Sequence, residues 1–137
     1  MGFLDAIKDL VHPPSYILVV DDDEALLETT ILALQQKGYK VLKANNGRDG
    51  LNLAILRRPV LVILDINMPE LDGWEVLEGI RSSSVTKNTP VIMLTTINVM
   101  GQINRSFELG ANGYLTKPLD IARLYRKVEE LAGPSPK

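Results

Sequence analysis

A chain of 137 residues, 45% hydrophobic and 23% charged with a net charge of −2, suffices for one domain that buries roughly 68% of its unfolded surface. With no cysteine and a single histidine, His12, ahead of the first predicted strand, the chain cannot use disulfides, thiolate metal sites or a cysteine nucleophile, and histidine catalysis is poorly served. The slightly acidic balance lacks a lysine or arginine block, which argues against direct nucleic-acid binding; no apolar run approaches a membrane span and no signal pattern opens the chain, so a cytoplasmic protein is expected.

Residues 1–14 stand apart. Phe3, Leu4, Ile7, Leu10 and Val11 fall at helical spacing, which predicts a short amphipathic helix ending at His12-Pro13-Pro14. Such a helix either packs on its own domain or frays, or it serves partner binding or self-association. Tyr16-Ile17-Leu18-Val19-Val20 then reads as an all-apolar strand ending on Asp21, Asp22 and Asp23. A helix is expected from about Glu24 to Lys37, with Leu27, Ile31 and Leu34 on one face and Gly38 as the stop. Tyr39 to Ala44 reads as a strand and Asn45-Asn46-Gly47 as a turn. Leu51, Ala54 and Ile55 mark a helix closing at Arg57-Arg58-Pro59, whose arginines suit the negative end of the helix dipole.

The next stretch, Val60-Leu61-Val62-Ile63-Leu64, is five apolar residues in a row, the pattern of a parallel strand buried on both faces. It runs into Asp65 and then Ile66-Asn67-Met68-Pro69, placing a carboxylate at the carboxyl edge of the sheet, where open α/β folds bind ligands. On this stretch alone Asp65 reads equally well as a turn cap or as a chemical group. Val76, Leu77 and Ile80 mark a short helix after the Pro69–Gly73 turn, dissolving into Ser82-Ser83-Ser84. Pro90 to Leu94 is a fourth apolar strand ending on Thr95-Thr96. A helix from about Asn98 to Leu109 carries Val99, Ile103 and Phe107 on one side, with Gly110 as its stop. Gly113 to Thr116 is a fifth strand leading into Lys117-Pro118. Asp120 to Leu131 forms the last helix, aligned on Ile121, Leu124, Val128 and Leu131. Five alternations of strand and helix with short connections predict a parallel sheet with helices on both faces, joined by right-handed crossovers.

Four strands end on polar residues at the same edge: Asp21 and Asp22, Asp65, Thr95, and Lys117. Carboxylates within ~4 Å of one another repel by up to about 4 kcal/mol per pair at an effective dielectric near 20. A divalent cation removes that penalty, and an all-oxygen site selects a hard ion, Mg2+ or Mn2+. Lys117 adds a point charge for a phosphoryl oxygen and Thr95 a hydroxyl donor. An aspartate nucleophile, a metal, a lysine and a hydroxyl are the parts for phosphoryl transfer to a carboxylate.

Taken together, Ile17–Asp22, Asp65, Asn67-Met68-Pro69, Asp72-Gly73, Thr95, Tyr114 and Lys117-Pro118 resemble the receiver domain of two-component response regulators, over about residues 16–132. The resemblance implies a flavodoxin-like (βα)5 fold of strand order 2-1-3-4-5, with the receiver at 15–132, a helical extension at 1–14 and a tail at 133–137. It implies a phosphoacceptor rather than an enzyme: Asp65 would take a phosphoryl group from a histidine kinase or phosphotransfer protein. Asp21, Asp22, Asp65 and the backbone carbonyl of Asn67 would hold the metal. Lys117 would contact the phosphoryl group, Thr95 would turn towards it, and Tyr114 would swing inward. The face made by the fourth helix, fifth strand and fifth helix would then engage a downstream protein or a second copy.

Three positions depart from the family pattern. Thr96 stands where a small residue is common, Ile97 is apolar where fast-hydrolysing relatives are polar, and Val60 replaces an acidic residue. Thr96 and Ile97 imply a long-lived phospho-Asp65. The rivals are weaker. A haloacid-dehalogenase-type phosphatase would use Asp21 and Asp23 with Thr95 or Thr96 and Lys117, but lacks its later acidic pair. A flavin-binding flavodoxin would need a phosphate-cradling loop where the first strand here ends on carboxylates, and a partner-binding pseudo-receiver would not need every chemical position filled. Six residues follow the last helix; the Met1 start with its own N-terminal helix favours a stand-alone regulator, with a receiver cut from a longer regulator or hybrid kinase as the alternative. Arg123, Tyr125, Arg126 and Lys127 read as a solvated basic face, and Trp74 as helix-start packing.

Overall fold

The computed structural model describes residues 2–4, 7, 15–96 and 100–137. Strands β1 (Tyr16–Val20), β2 (Lys40–Ala44), β3 (Leu61–Asp65), β4 (Val91–Thr95) and β5 (Gly113–Thr116) alternate with α1 (Glu24–Gln36), α2 (Gly47–Arg57), α3 (Gly73–Ser82), α4 (Met100–Glu108) and α5 (Ile121–Ala132). All neighbouring strands pair in parallel, in the order β2-β1-β3-β4-β5, as the alternation of elements and the family resemblance together predict.

The side-chain period of two splits the apolar strands between the two faces of the sheet. Leu18, Val20, Val62, Leu64, Val91 and Met93 pack with Ala54 of α2 and Val76, Leu77 and Ile80 of α3. Ile17, Val19, Leu61, Ile63, Ile92 and Leu94 face Leu27, Ile31 and Leu34 of α1 and Leu124 and Val128 of α5. Every residue of β3 and β4 is buried, and each fully buried aliphatic side chain contributes ~1.5–3 kcal/mol of apolar burial. That double-sided cover is why these strands read as continuous apolar runs.

Local chemistry sets the helix ends. Asp23 caps α1 by accepting from Leu26 N at 3.1 Å, and Gly38 after it has φ +86°, a region glycine enters without a Cβ penalty. Asn46 caps α2; Asp120 caps α5. Asp72 and Glu75 form a reciprocal capping box at α3.

The structure moves several expected boundaries. Val60 precedes β3 and is exposed; its N–H donates to Tyr16 O. Asn46-Gly47 opens α2 rather than forming a free turn. Arg57 lies over the Tyr16 ring at 4.9 Å, a cation–π contact beyond its expected role at the dipole. Phe107 is 46% exposed while Ile103 and Ser106 are buried, so the inward face of α4 is turned away from the expected Ile103–Phe107 stripe. Phe107 instead meets Tyr114 edge-on at 6.1 Å. Tyr125 is a structural tie rather than part of a free basic face: its hydroxyl donates to Ala33 O of α1 at 2.9 Å. In the tail, Ser135 Oγ donates to Lys37 O at 2.7 Å. Most of the expected 1–14 helix, with Leu10, Val11 and His12, lies outside the described residues, as do Ile97, Asn98 and Val99. Phe3, Leu4 and Ile7 have helical backbone and are exposed.

Candidate functional site

Strand register assembles the site. Val20 pairs with Leu64, so Asp21 follows β1 beside Asp65, the last residue of β3. Asp65 pairs with Leu94, one residue before Thr95, and Thr95 pairs with Thr116, one residue before Lys117. Backbone bonds lock these ends together: Ile66 N donates to Leu94 O at 3.0 Å and Lys117 N to Thr95 O at 2.7 Å. The loop after β3 is closed by Gly73 N donating to Ile66 O. A Cβ at Gly73 would run into the Asp65 carbonyl, so the first turn of α3 approaches the site only because that position is glycine. The Lys117–Pro118 peptide is cis.

Asp21, Asp65 and Thr95 are almost wholly buried; Asp22 is exposed and Thr96 lies at the surface. Lys117 Nζ stands 3.2 Å from Asp21 Oδ2 and 3.3 Å from Asp65 Oδ1. Neither of those two oxygens has a hydrogen-bond partner, although Lys117 Nζ donates to the other Asp21 oxygen, Oδ1, at 3.5 Å. Asp21 Oδ1 accepts from Asp23 N at 3.0 Å, which orients the carboxylate. One oxygen each of Asp21, Asp22 and Asp65 lies within 4.8 Å of the others.

The charge count explains the electrostatics. Two buried carboxylates share one ammonium. Burial first, then the Asp21 charge, raises the Asp65 pKa to about 7 against the counter-pull of Lys117. At Lys117, burial alone would lower the pKa, but Asp65 and Asp21 outweigh it and leave it raised. The donor set therefore fits a hard divalent cation: it is all oxygen, carries excess negative charge and includes buried oxygens with unmet acceptor capacity.

Thr95 Oγ1 donates to Gln102 Oε1 of α4 at 2.9 Å. Farther along α4, Ser106 Oγ donates to Gln102 O at 2.9 Å and accepts from Trp74 Nε1 at 3.4 Å. The Arg105 guanidinium stacks over the Trp74 ring at 4.0 Å. Trp74 is thus joined to α4, more than the helix-start packing expected of it, and Gln102 is a site neighbour for which the sequence carries no signal. Asp23, the second acid of the phosphatase alternative, is engaged as the α1 cap. Tyr114 is half-buried beside Phe107, and Asn67 is exposed two residues past Asp65.

Comparison with known proteins matches residues 17–129 to the response regulator receiver domain. The chain is 36% identical over 115 residues to the DNA-binding dual master transcriptional regulator RpaA of Synechocystis, covering 84% of this chain and 48% of that protein. It is 38% identical over 112 residues to the transcriptional regulatory protein HprR of Escherichia coli, covering 82% and 49%. The chain spans about half the length of the curated relatives it matches. Among solved structures, the Vibrio cholerae chemotaxis protein CheY4 superposes with a TM-score of 0.81 at 32% identity, over 86% of this chain and 98% of that one. The receiver domain of a Pseudomonas aeruginosa sensor histidine kinase, solved with a magnesium ion coordinated in its active-site cleft, gives 0.81 at 28% identity, over 88% and 98%.

Proposed function

The chain belongs to the response regulator receiver domain family, and on that premise we propose that Asp65 is its phosphoacceptor. The observation that carries this reading is the pair of buried, unbonded oxygens, Asp65 Oδ1 and Asp21 Oδ2, facing one lysine. A capping carboxylate would have its oxygens bonded to backbone N–H groups, as Asp23 and Asp72 do.

In the proposed reaction an Asp65 carboxylate oxygen attacks the phosphorus of a phosphohistidine. The new P–O bond forms an acyl phosphate, the P–N bond breaks, and the imidazole leaves with the bonding electrons. Lys117 holds developing charge on a phosphoryl oxygen, and the Thr95 hydroxyl donates to another. Asp21, Asp22, Asp65 and the Asn67 carbonyl would hold Mg2+ or Mn2+, which supplies charge neutralisation at the phosphoryl oxygens. Asp65 must be ionised to attack, and Lys117 favours that form. The same groups can speed phosphorylation and later hydrolysis, with no separate catalytic residue.

Phosphorylation adds about −1.5 to −2 charges and three acceptors at the carboxyl edge. Thr95 gains a partner there, Tyr114 turns inward, and the face of α4, β5 and α5 changes its binding properties. The partners on this reading are a histidine kinase or phosphotransfer protein, a downstream protein and, on phosphorylation, a second copy, all in the cytoplasm. Among the described residues no helix is long and apolar enough to cross a membrane. Residues 15–132 form the receiver, flanked by the 1–14 extension and the 133–137 tail. The chain acts by itself through protein contact or as the receiver part of a longer regulator; the half-length match to RpaA and HprR is compatible with the second setting.

Intact mass after incubation with acetyl phosphate and Mg2+ tests the assignment. One phosphoryl group should appear on the native chain and none on Asp65→Asn. Phosphoryl incorporation that persists in Asp65→Asn, or that needs no divalent cation, would overturn it.

A further inference from the structure

The switch hydroxyl has a competing partner. Thr95 Oγ1 donates to Gln102 Oε1 at 2.9 Å, joining the end of β4 to the first turn of α4. A threonine hydroxyl carries one hydrogen. It can be given to Gln102 or to a phosphoryl oxygen on Asp65, but not to both. We propose that Gln102 is a positioning residue that holds Thr95 in the unphosphorylated state by competing with the phosphoryl group for this hydrogen. The proposal rests on the phosphoacceptor reading above and adds a specific element to it. The strength of one side-chain bond on α4 sets how readily the domain switches.

The same helix links this bond to α3. Gln102 O accepts from Ser106 Oγ one turn on, and Ser106 Oγ accepts from Trp74 Nε1. Arg105, beside Ser106, lies on the Trp74 ring. The Thr95 bond is therefore at one end of α4 and the indole of the chain's single tryptophan at the other. Release of Thr95 frees the Gln102 side chain, and any resulting shift of α4 changes what surrounds Trp74. The contact between α4 and α3 thus provides both a restraint on the resting state and a built-in reporter of its loss.

The test is a titration of the full chain with beryllium fluoride, a phosphoryl mimic, in excess Mg2+. Trp74 fluorescence and calorimetry follow binding in parallel. Removing the competitor with Gln102→Ala should lower the half-saturating concentration roughly 2- to 12-fold, the equilibrium value of one neutral hydrogen bond. Gln102→Asn, one methylene too short to reach, should do the same and guards against a folding defect specific to alanine. In a Thr95→Ala background either substitution should have no effect, because the shared hydrogen is gone. A structural role for Gln102 would instead weaken binding, and to the same degree in both backgrounds. Unchanged or raised half-saturation in both Gln102 variants, or a shift that persists without Thr95, overturns the proposal. No saturable binding by the native chain would overturn the phosphoacceptor reading itself, and the role proposed for Gln102 with it.

Discussion

Asp65→Asn should make the metal-free domain more stable, and more so at high pH. In the native site two buried carboxylates share one lysine, and burial and the Asp21 charge raise the Asp65 pKa to about 7 from the ordinary carboxylate value of 3.8. A carboxyl group with a raised folded-state pKa keeps its proton longer in the native than in the unfolded chain. Stability therefore falls as pH rises from the unfolded value towards the folded one, by about 1.4 kcal/mol per unit. Well below the unfolded pKa, at about pH 3 and under, both states are mostly protonated and the penalty is close to zero. At pH 5 the penalty is about 2 kcal/mol, and above pH 7 it levels off near 4 kcal/mol. Asparagine is close to isosteric and neutral, and it leaves Asp21 and Lys117 as a balanced pair. At roughly 3 °C per kcal/mol for a chain of this length, the substitution should raise the melting temperature by about 5 °C at pH 5 and about 12 °C at pH 8. Thermal unfolding in EDTA at both pH values measures this. Equal shifts at the two values, or a lower melting temperature at pH 8, would refute the charge-excess argument. Adding Mg2+ at pH 8 should stabilise the native chain more than the variant, because the variant has lost a ligand and the repulsion that the cation relieves.

Gly73→Ala drives a Cβ into the Asp65 carbonyl and against Ile66; overpacking of this kind costs about 1–3 kcal/mol. Chemical denaturation should show that loss, and on the proposed assignment a Mg2+ titration read on Trp74 should show weaker binding, because the loop after β3 that would hold the metal is displaced. Arg81 donates to Thr89 O, twice to Gly110 O and to Asn112 Oδ1. Arg81→Ala should therefore cost about 2–5 kcal/mol in denaturation experiments, and Arg81→Lys should recover little of it because an ammonium cannot span that fork. With Ile97 apolar and Thr96 in place of a smaller residue, phospho-Asp65 should hydrolyse slowly. Intact-mass time courses would measure the decay after the phosphodonor is removed, and a half-life of seconds would refute the expectation.

Much of this molecule is determined by the linear order of residue types. Parallel strands covered on both faces must be apolar throughout, so β1, β3 and β4 can be found from composition alone. Parallel topology sends every strand end to one edge, and for that reason Asp21, Asp65, Thr95 and Lys117 converge although 96 positions separate the first from the last. Local spacing does not determine how a helix is rotated against the sheet. Packing turned α4 so that Ser106 is buried and Phe107 is not, and that rotation brought Gln102 to Thr95 and Arg105 to Trp74. Distances also lie beyond the sequence. A list of acids and one lysine implies a charged cluster; only the folded chain decided that Asp21 Oδ2 and Asp65 Oδ1 would face Lys117 unbonded. Convergence at the edge follows from topology, whereas the unmet acceptors and the hold on Thr95 follow from side-chain orientations that the whole packed domain sets together.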